Sequence, residues 1–197
     1  MNDMNGKKNT LRLTQAAMIT ALAYVGFQFL RIDIPVGTER TAIHLGNTFV
    51  VLGALLLGGL WGGTAGALGL TLADLTSGYI TSAPKTFLLK LVMGLVTGLV
   101  SRRFLHIESV ADTRRQTFIG LVSGAAALGL NVVLDPLFGY FYKRYLFGIP
   151  QDWAAALSKL GSLTSLVNAG ISTLCVTAIW GALFTALRRS GKLPWGD

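Results

Sequence analysis

HLGNTFVVLGALLLGGLWGGTAGALGLTLADLTSGYITSAPKTFLLK, residues 44–90, is the stretch whose reading decides the fold. Two hydrophobic runs flank the glycine-rich turn GGLWGG, and a third run begins after Pro84. Runs this long and apolar read as membrane helices. The stretch nevertheless keeps His44, Asn47, Asp74 and Lys90, groups that are costly inside a bilayer and therefore need a reason to be there.

Composition supports the membrane reading. Of 197 residues, 52% are hydrophobic and only 13% charged, against about 25% charged in soluble domains. Mean hydropathy is +0.56. A formal net charge of +8 would suggest nucleic acid in a soluble protein. Here the cations flank apolar segments, so topology explains them and no nucleic acid is expected. The first apolar segment lacks a short core with a small-residue cleavage site, and is read as a retained helix. Cys175 stands alone in an apolar run and reads as a small buried residue.

Outward from residues 44–90, the chain reads as one domain over 1–197, an all-α bundle of six transmembrane helices. The expected helices cover about 11–30, 42–60, 62–80, 85–100, 117–140 and 160–187. Residues 31–41 read as a polar loop containing Pro35 and Gly37. Small residues at helical spacing, Ala17/Ala21 in the first helix and Gly94/Gly98 in the fourth, suit close helix approach, within the protein or on a partner subunit. With both termini cytoplasmic, ten of the 17 Lys and Arg fall on the inner side and six on the outer, with Lys90 inside a helix. That bias favours an N-in, C-in orientation.

In this topology the polar groups share a depth. His44 and Asn47 fall in the outer turns of the second helix, and Asp74 lies about 9 Å below the outer end of the third at 1.5 Å per residue. Lys90, Asn131, Asp135 and Asn168 also fall in outer halves. The inner halves hold little beyond aliphatic residues, glycine, serine and threonine. Such one-sidedness suits an outward-facing pocket for a small hydrophilic molecule; the competing reading is a buried Asp–Lys network that only ties helices together. Asp74 and Asp135 are candidate acceptors for hydroxyl or ring N–H groups. Lys90 is a candidate to neutralise one of them or to meet an anionic group. Asn47, Asn131 and Asn168 offer donors and acceptors. His44 reads equally as a site residue or an interfacial one. Tyr24, Gln28, Tyr79 and Trp153 are candidate walls or interface residues.

Enzyme signatures are absent. His44 and His106 fall on opposite sides, and neither a Walker A sequence nor GxSxG occurs. No metal or cofactor is expected. Three functions stay open: a binding subunit of a transporter, a stand-alone secondary transporter of a small heterocycle, and a small membrane enzyme built on Asp74, Lys90 and Asp135.

The run LGNTFVVLGALLLGGLWGGTAGALGLTLADLTSGY, then PKTFLLKLVMGLVTG, together with Ala17/Ala21, resembles the substrate-binding S components of energy-coupling factor (ECF) transporters. The likeness is carried by helices one to four, and by topology alone in five and six. It is closest to the branch assigned to hydroxymethylpyrimidine, pyridoxine or similar vitamins, with riboflavin binders as near relatives. The resemblance implies a high-affinity vitamin binder of the bacterial cell membrane. It implies docking on a transmembrane T subunit through Ala17 and Ala21, energy from two ATPase subunits, and uptake by toppling of the S component.

Overall fold

In a computed structural model, described for residues 2–36 and 39–195, the chain forms six α-helices and one β-hairpin. The helices are α1 (Asn2–Gln28), α2 (Gly46–Leu57), α3 (Gly59–Thr76), α4 (Ala83–Gly98), α5 (Thr113–Phe141) and α6 (Gln151–Arg189). Strands β1 (Arg31–Val36) and β2 (Glu39–His44) lie between α1 and α2.

The hairpin corrects the expectation of a polar loop at 31–41. Its residues alternate with a period of two, as a two-faced strand requires. The antiparallel register pairs Ile32 with Ile43 and Ile34 with Thr41, placing these four on one face. Arg31 pairs with His44, Asp33 with Ala42 and Pro35 with Arg40, which makes the other face polar. Gly37, the glycine of the expected loop, lies outside the described residues.

The second helix is also shorter than expected. It starts at Gly46, because β2 takes residues 42–44, and it stops at Gly58, whose φ of 89° few side-chain-bearing residues adopt. Twelve residues make about 18 Å, less than the roughly 30 Å of a hydrocarbon core. All of α2 except Phe49 is buried. A helix apolar all round belongs in the middle of a bundle, and α2 packs on α1, α3, α4 and α6 there. By length and composition, three segments among the described residues can cross a membrane: Ile80–Phe104, Thr113–Leu146 and Gln151–Arg189.

Other boundaries shift for local reasons. α1 runs outward to Asn2, with the hydroxyls of Thr10 and Thr14 bonding back to the carbonyls of Gly6 and Thr10. α5 begins at Thr113 because the Asp112 carboxylate caps it, accepting from Arg115 N–H at 2.9 Å. α6 begins directly after Pro150 and runs for 39 residues. Pro84 opens α4, as its fixed φ favours. The Gly94/Gly98 pair packs α4 on Gly63 and Gly59 of α3, where a Cβ on Gly94 would collide with the Gly63 backbone.

The end holding both termini is closed by polar ties. Trp180 is fully buried and donates to Gln116 Oε1 at 3.2 Å, while Gln116 Nε2 donates to the carbonyls of Ile107 and Val110. Arg102 pairs with Glu108 and lies 5.0 Å over the Trp195 ring. The opposite end, under the hairpin, stays open and polar.

Candidate functional site

At the hairpin end, all six helices and β2 surround a cavity of about 110 Å³. A water needs roughly 10–15 Å³ of such space, so the cavity takes several water-sized groups. His44, Asn47, Asp74, Tyr79, Lys90, Asn131, Asp135 and Asn168 all line it. Helix periodicity brings them together. Asn131 and Asp135 are four apart on α5, as are Asp74 and Leu70 on α3. On α4, residues 85, 86, 89 and 90 share the inward face, and on α6 residues 164, 165 and 168 do.

The polar side chains differ in what they already hold. Asp135 is engaged at both oxygens: Lys85 Nζ is 2.7 Å from Oδ1, and the Ser165 hydroxyl donates to Oδ2 at 2.6 Å. Asn168 is a clamp on the hairpin. Its Nδ2 donates to the Ala42 carbonyl at 2.9 Å, and its Oδ1 accepts from the His44 N–H at 2.8 Å. Lys90, 8% exposed, donates to Asn131 Oδ1 at 3.2 Å. It is thus Lys85, and not Lys90, that is paired directly with an aspartate.

Among the lining residues, two buried acceptors lack a partner. Asp74 Oδ2 and Asn47 Oδ1 are buried and make no hydrogen bond within the described chain. Leaving such groups unmet costs free energy, and a charged oxygen costs most. His44 Nδ1 accepts from the Gly46 N–H at 3.1 Å, so the neutral ring carries its proton on Nε2, free to donate. The cavity therefore presents acceptors on α2 and α3, and donors at Lys90 and His44.

The hairpin covers this space and is tied down on several sides. Arg31 donates to Ser77 Oγ at 2.5 Å and to Gln28 Oε1 at 3.2 Å, and Ser77 bonds to Gln28. Tyr79 donates to Asp33 Oδ1 at 2.9 Å. Burial and that carboxylate push the phenol pKa up, so it stays a donor. Arg40 lies 5.3 Å over the Tyr79 ring, and the Phe27 ring centre is 4.7 Å from that of His44, tilted, and 5.8 Å from that of Tyr79, edge-on.

Some expected walls are elsewhere. Gln28 and Tyr24 serve the junction of α1 with α3, Tyr24 meeting the Thr76 hydroxyl at 3.3 Å. Trp153 is 60% exposed and does not line the cavity. Arg40, Lys85, Thr86 and Ser165 line it without having been singled out. Lys85 reads as a topological charge by sequence, with no spacing signal that marks it as a site residue. Ala17 and Ala21 lie exposed on α1 and do not line the cavity, beside exposed Leu13, Met18 and Leu22.

Residues 7–189 match the sequence model of the family described as ECF-type riboflavin transporter, S component. No curated protein and no solved structure matches the chain.

Proposed function

Because the chain belongs to the family of ECF-type riboflavin transporter S components, we propose that its hairpin-covered cavity is the vitamin site of an ECF transporter. A member of this family is an integral-membrane, substrate-binding transport subunit and not an enzyme. The observation that carries the proposal is the pair of buried, unmet acceptors, Asp74 Oδ2 and Asn47 Oδ1, facing one polar cavity. A heterocycle edge bearing N–H groups answers both. Lys90 and the Nε2–H of His44 donate to its carbonyl or hydroxyl oxygens, and Asn131 holds Lys90 in place. Phe27 and Tyr79 supply the aromatic wall. Asp135 and Asn168 act at one remove, holding Lys85 and the hairpin.

The proposed topology places all six helices in the membrane with both termini inside, α2 reaching only part of the way across, so that the hairpin end faces outward. Residues 1–197 act as one unit. The central α2 then descends from the outer face and α3 returns to it, the two meeting at Gly58. Exposed Ala17 and Ala21 on α1 form the face that docks on the T subunit, whose two ATPase partners supply the energy.

Riboflavin is the first substrate reading, favoured by the family match. A second, hydroxymethylpyrimidine or pyridoxine, is favoured by the small cavity volume of about 110 Å³. Titration calorimetry of the purified chain against all three decides between them. One vitamin should bind at one per chain, without turnover. Counterflow in proteoliposomes lacking any partner would instead mean a stand-alone transporter.

A further inference from the structure

The face of the hairpin turned away from the cavity has a chemistry of its own. The register puts Ile32, Ile34, Thr41 and Ile43 together, opposite Arg31, Asp33, Arg40 and His44, and of the first four only Thr41 also borders the cavity. Ile32 is 68% exposed. Ile34 and Ile43 do not end in solvent-facing polar surface. They continue into an apolar groove shared with Leu160, Leu163 and Val167 of α6. Those three α6 residues, at steps of three and four, form one exposed stripe of a membrane-spanning helix.

Depth can be counted along α6. The helix is about 58 Å long at 1.5 Å per residue, and a hydrocarbon core needs about 20 residues of it. Twenty residues back from the charged pair Arg188/Arg189 end near Asn168. The Leu160–Val167 stripe and the hairpin beside it then fall in the interfacial layer just beyond the core. Exposed Tyr145, Phe147 and Trp153 lie at the same end, as aromatics at a membrane interface do.

We propose that the hairpin is a lipid-seated cover: its isoleucine face is immersed in the bilayer interface while its polar face closes the cavity. The partner is the lipid surface itself, continuous with the lipid-facing stripe of α6. This inference rests on the chain being a membrane protein and on the hairpin register, and is independent of which vitamin binds. A two-faced sheet at the headgroup boundary behaves as an interfacial amphipathic element, its apolar side a few ångströms into the acyl region. The cover is then held from both sides, by Asn168, Tyr79 and Ser77 beneath and by lipid around.

Single-cysteine variants test this in nanodiscs, in a Cys175→Ser background. Ile32→Cys carries a fluorescent label on the isoleucine face, and Pro35→Cys carries one on the opposite face, where Pro35 is exposed. Ile32→Cys should lose its fluorescence to a lipid bearing a nitroxide near the top of its acyl chain, and resist aqueous iodide. Pro35→Cys should do the reverse. Quenching of the Ile32 label by iodide overturns the proposal by placing that face in water. Quenching by neither agent also overturns it, since protein, such as a second copy, would then cover the face. Vitamin binding measured on the same samples reports separately on the cavity.

Discussion

Lys85 Nζ lies 2.7 Å from Asp135 Oδ1, joining the first turn of α4 to the C-terminal half of α5, and Ser165 of α6 bonds the second oxygen of the same carboxylate. Three helices thus meet at one side chain beside the cavity. The side chains of the pair remain 18% and 25% exposed, so water softens any loss. Lys85→Met is expected to destabilise the protein by about 1.5–3 kcal/mol, the usual worth of a hydrogen bond to a charged group. The double variant Lys85→Met/Asp135→Leu should recover part of that, since no lone charge is left behind. Thermal unfolding in detergent checks both, and a double variant less stable than the single would refute the pairing.

Asp74 stands in contrast to Asp135. Its Oδ2 is buried without a partner, in a cavity whose other side holds Lys90. A residue kept for structure would lose stability when neutralised; one kept for a ligand would not. Asp74→Asn should therefore leave the ligand-free melting temperature unchanged or raised. It should weaken vitamin binding roughly 10- to 150-fold, equivalent to about 1.5–3 kcal/mol for a charge-assisted hydrogen bond. Calorimetry and melting on the same preparation separate the outcomes. Wild-type affinity with a lowered melting temperature would make Asp74 a structural group.

Asn168 is expected to act through the hairpin. It bonds the strand at Ala42 O and His44 N, and nothing else in the described chain replaces it there. Asn168→Ala removes both bonds, at about 1–3 kcal/mol in total. Amide hydrogen exchange at His44 should accelerate markedly, while exchange in α5 stays as it was. Vitamin affinity should fall with it, mainly through faster release. Unchanged protection at His44 would mean that Arg31, Tyr79 and the sheet alone hold the cover.

These predictions turn on details that are unevenly visible in the primary structure. The polar layer is legible: Asp74, Lys90 and Asn131 are conspicuous because their neighbours are apolar, and helix geometry then brings them to one depth. Pairing is not legible. Lys85 sits where a loop cation is expected and reads as a topological charge, yet it takes the Asp135 partnership for which Lys90 is the sequence candidate. The hairpin is masked by its brevity. Ile32, Ile34, Thr41 and Ile43 alternate as a strand should, but Pro35 and Gly37 interrupt the run and read as loop signals. The length of α2 depends on which glycine of GGLWGG breaks the helix, and only the backbone conformation identifies Gly58.

The α1 face remains. Ala17 and Ala21 are exposed one turn apart, while Ala16 and Ala23 on the inner side are buried against the bundle. Packing within the chain therefore does not explain the outer pair. Larger apolar side chains, Leu13, Met18 and Leu22, border it, leaving a shallow strip into which a second helix can settle. Tryptophan there fills the strip without touching the cavity. Ala17→Trp and Ala21→Trp should each abolish co-purification with a T subunit and vitamin uptake in cells. Calorimetric affinity for the vitamin should remain at the wild-type value, because the lining residues lie at the hairpin end. Retained co-purification would move the docking face to another helix, with the exposed Leu68, Leu72 and Leu75 of α3 next in line.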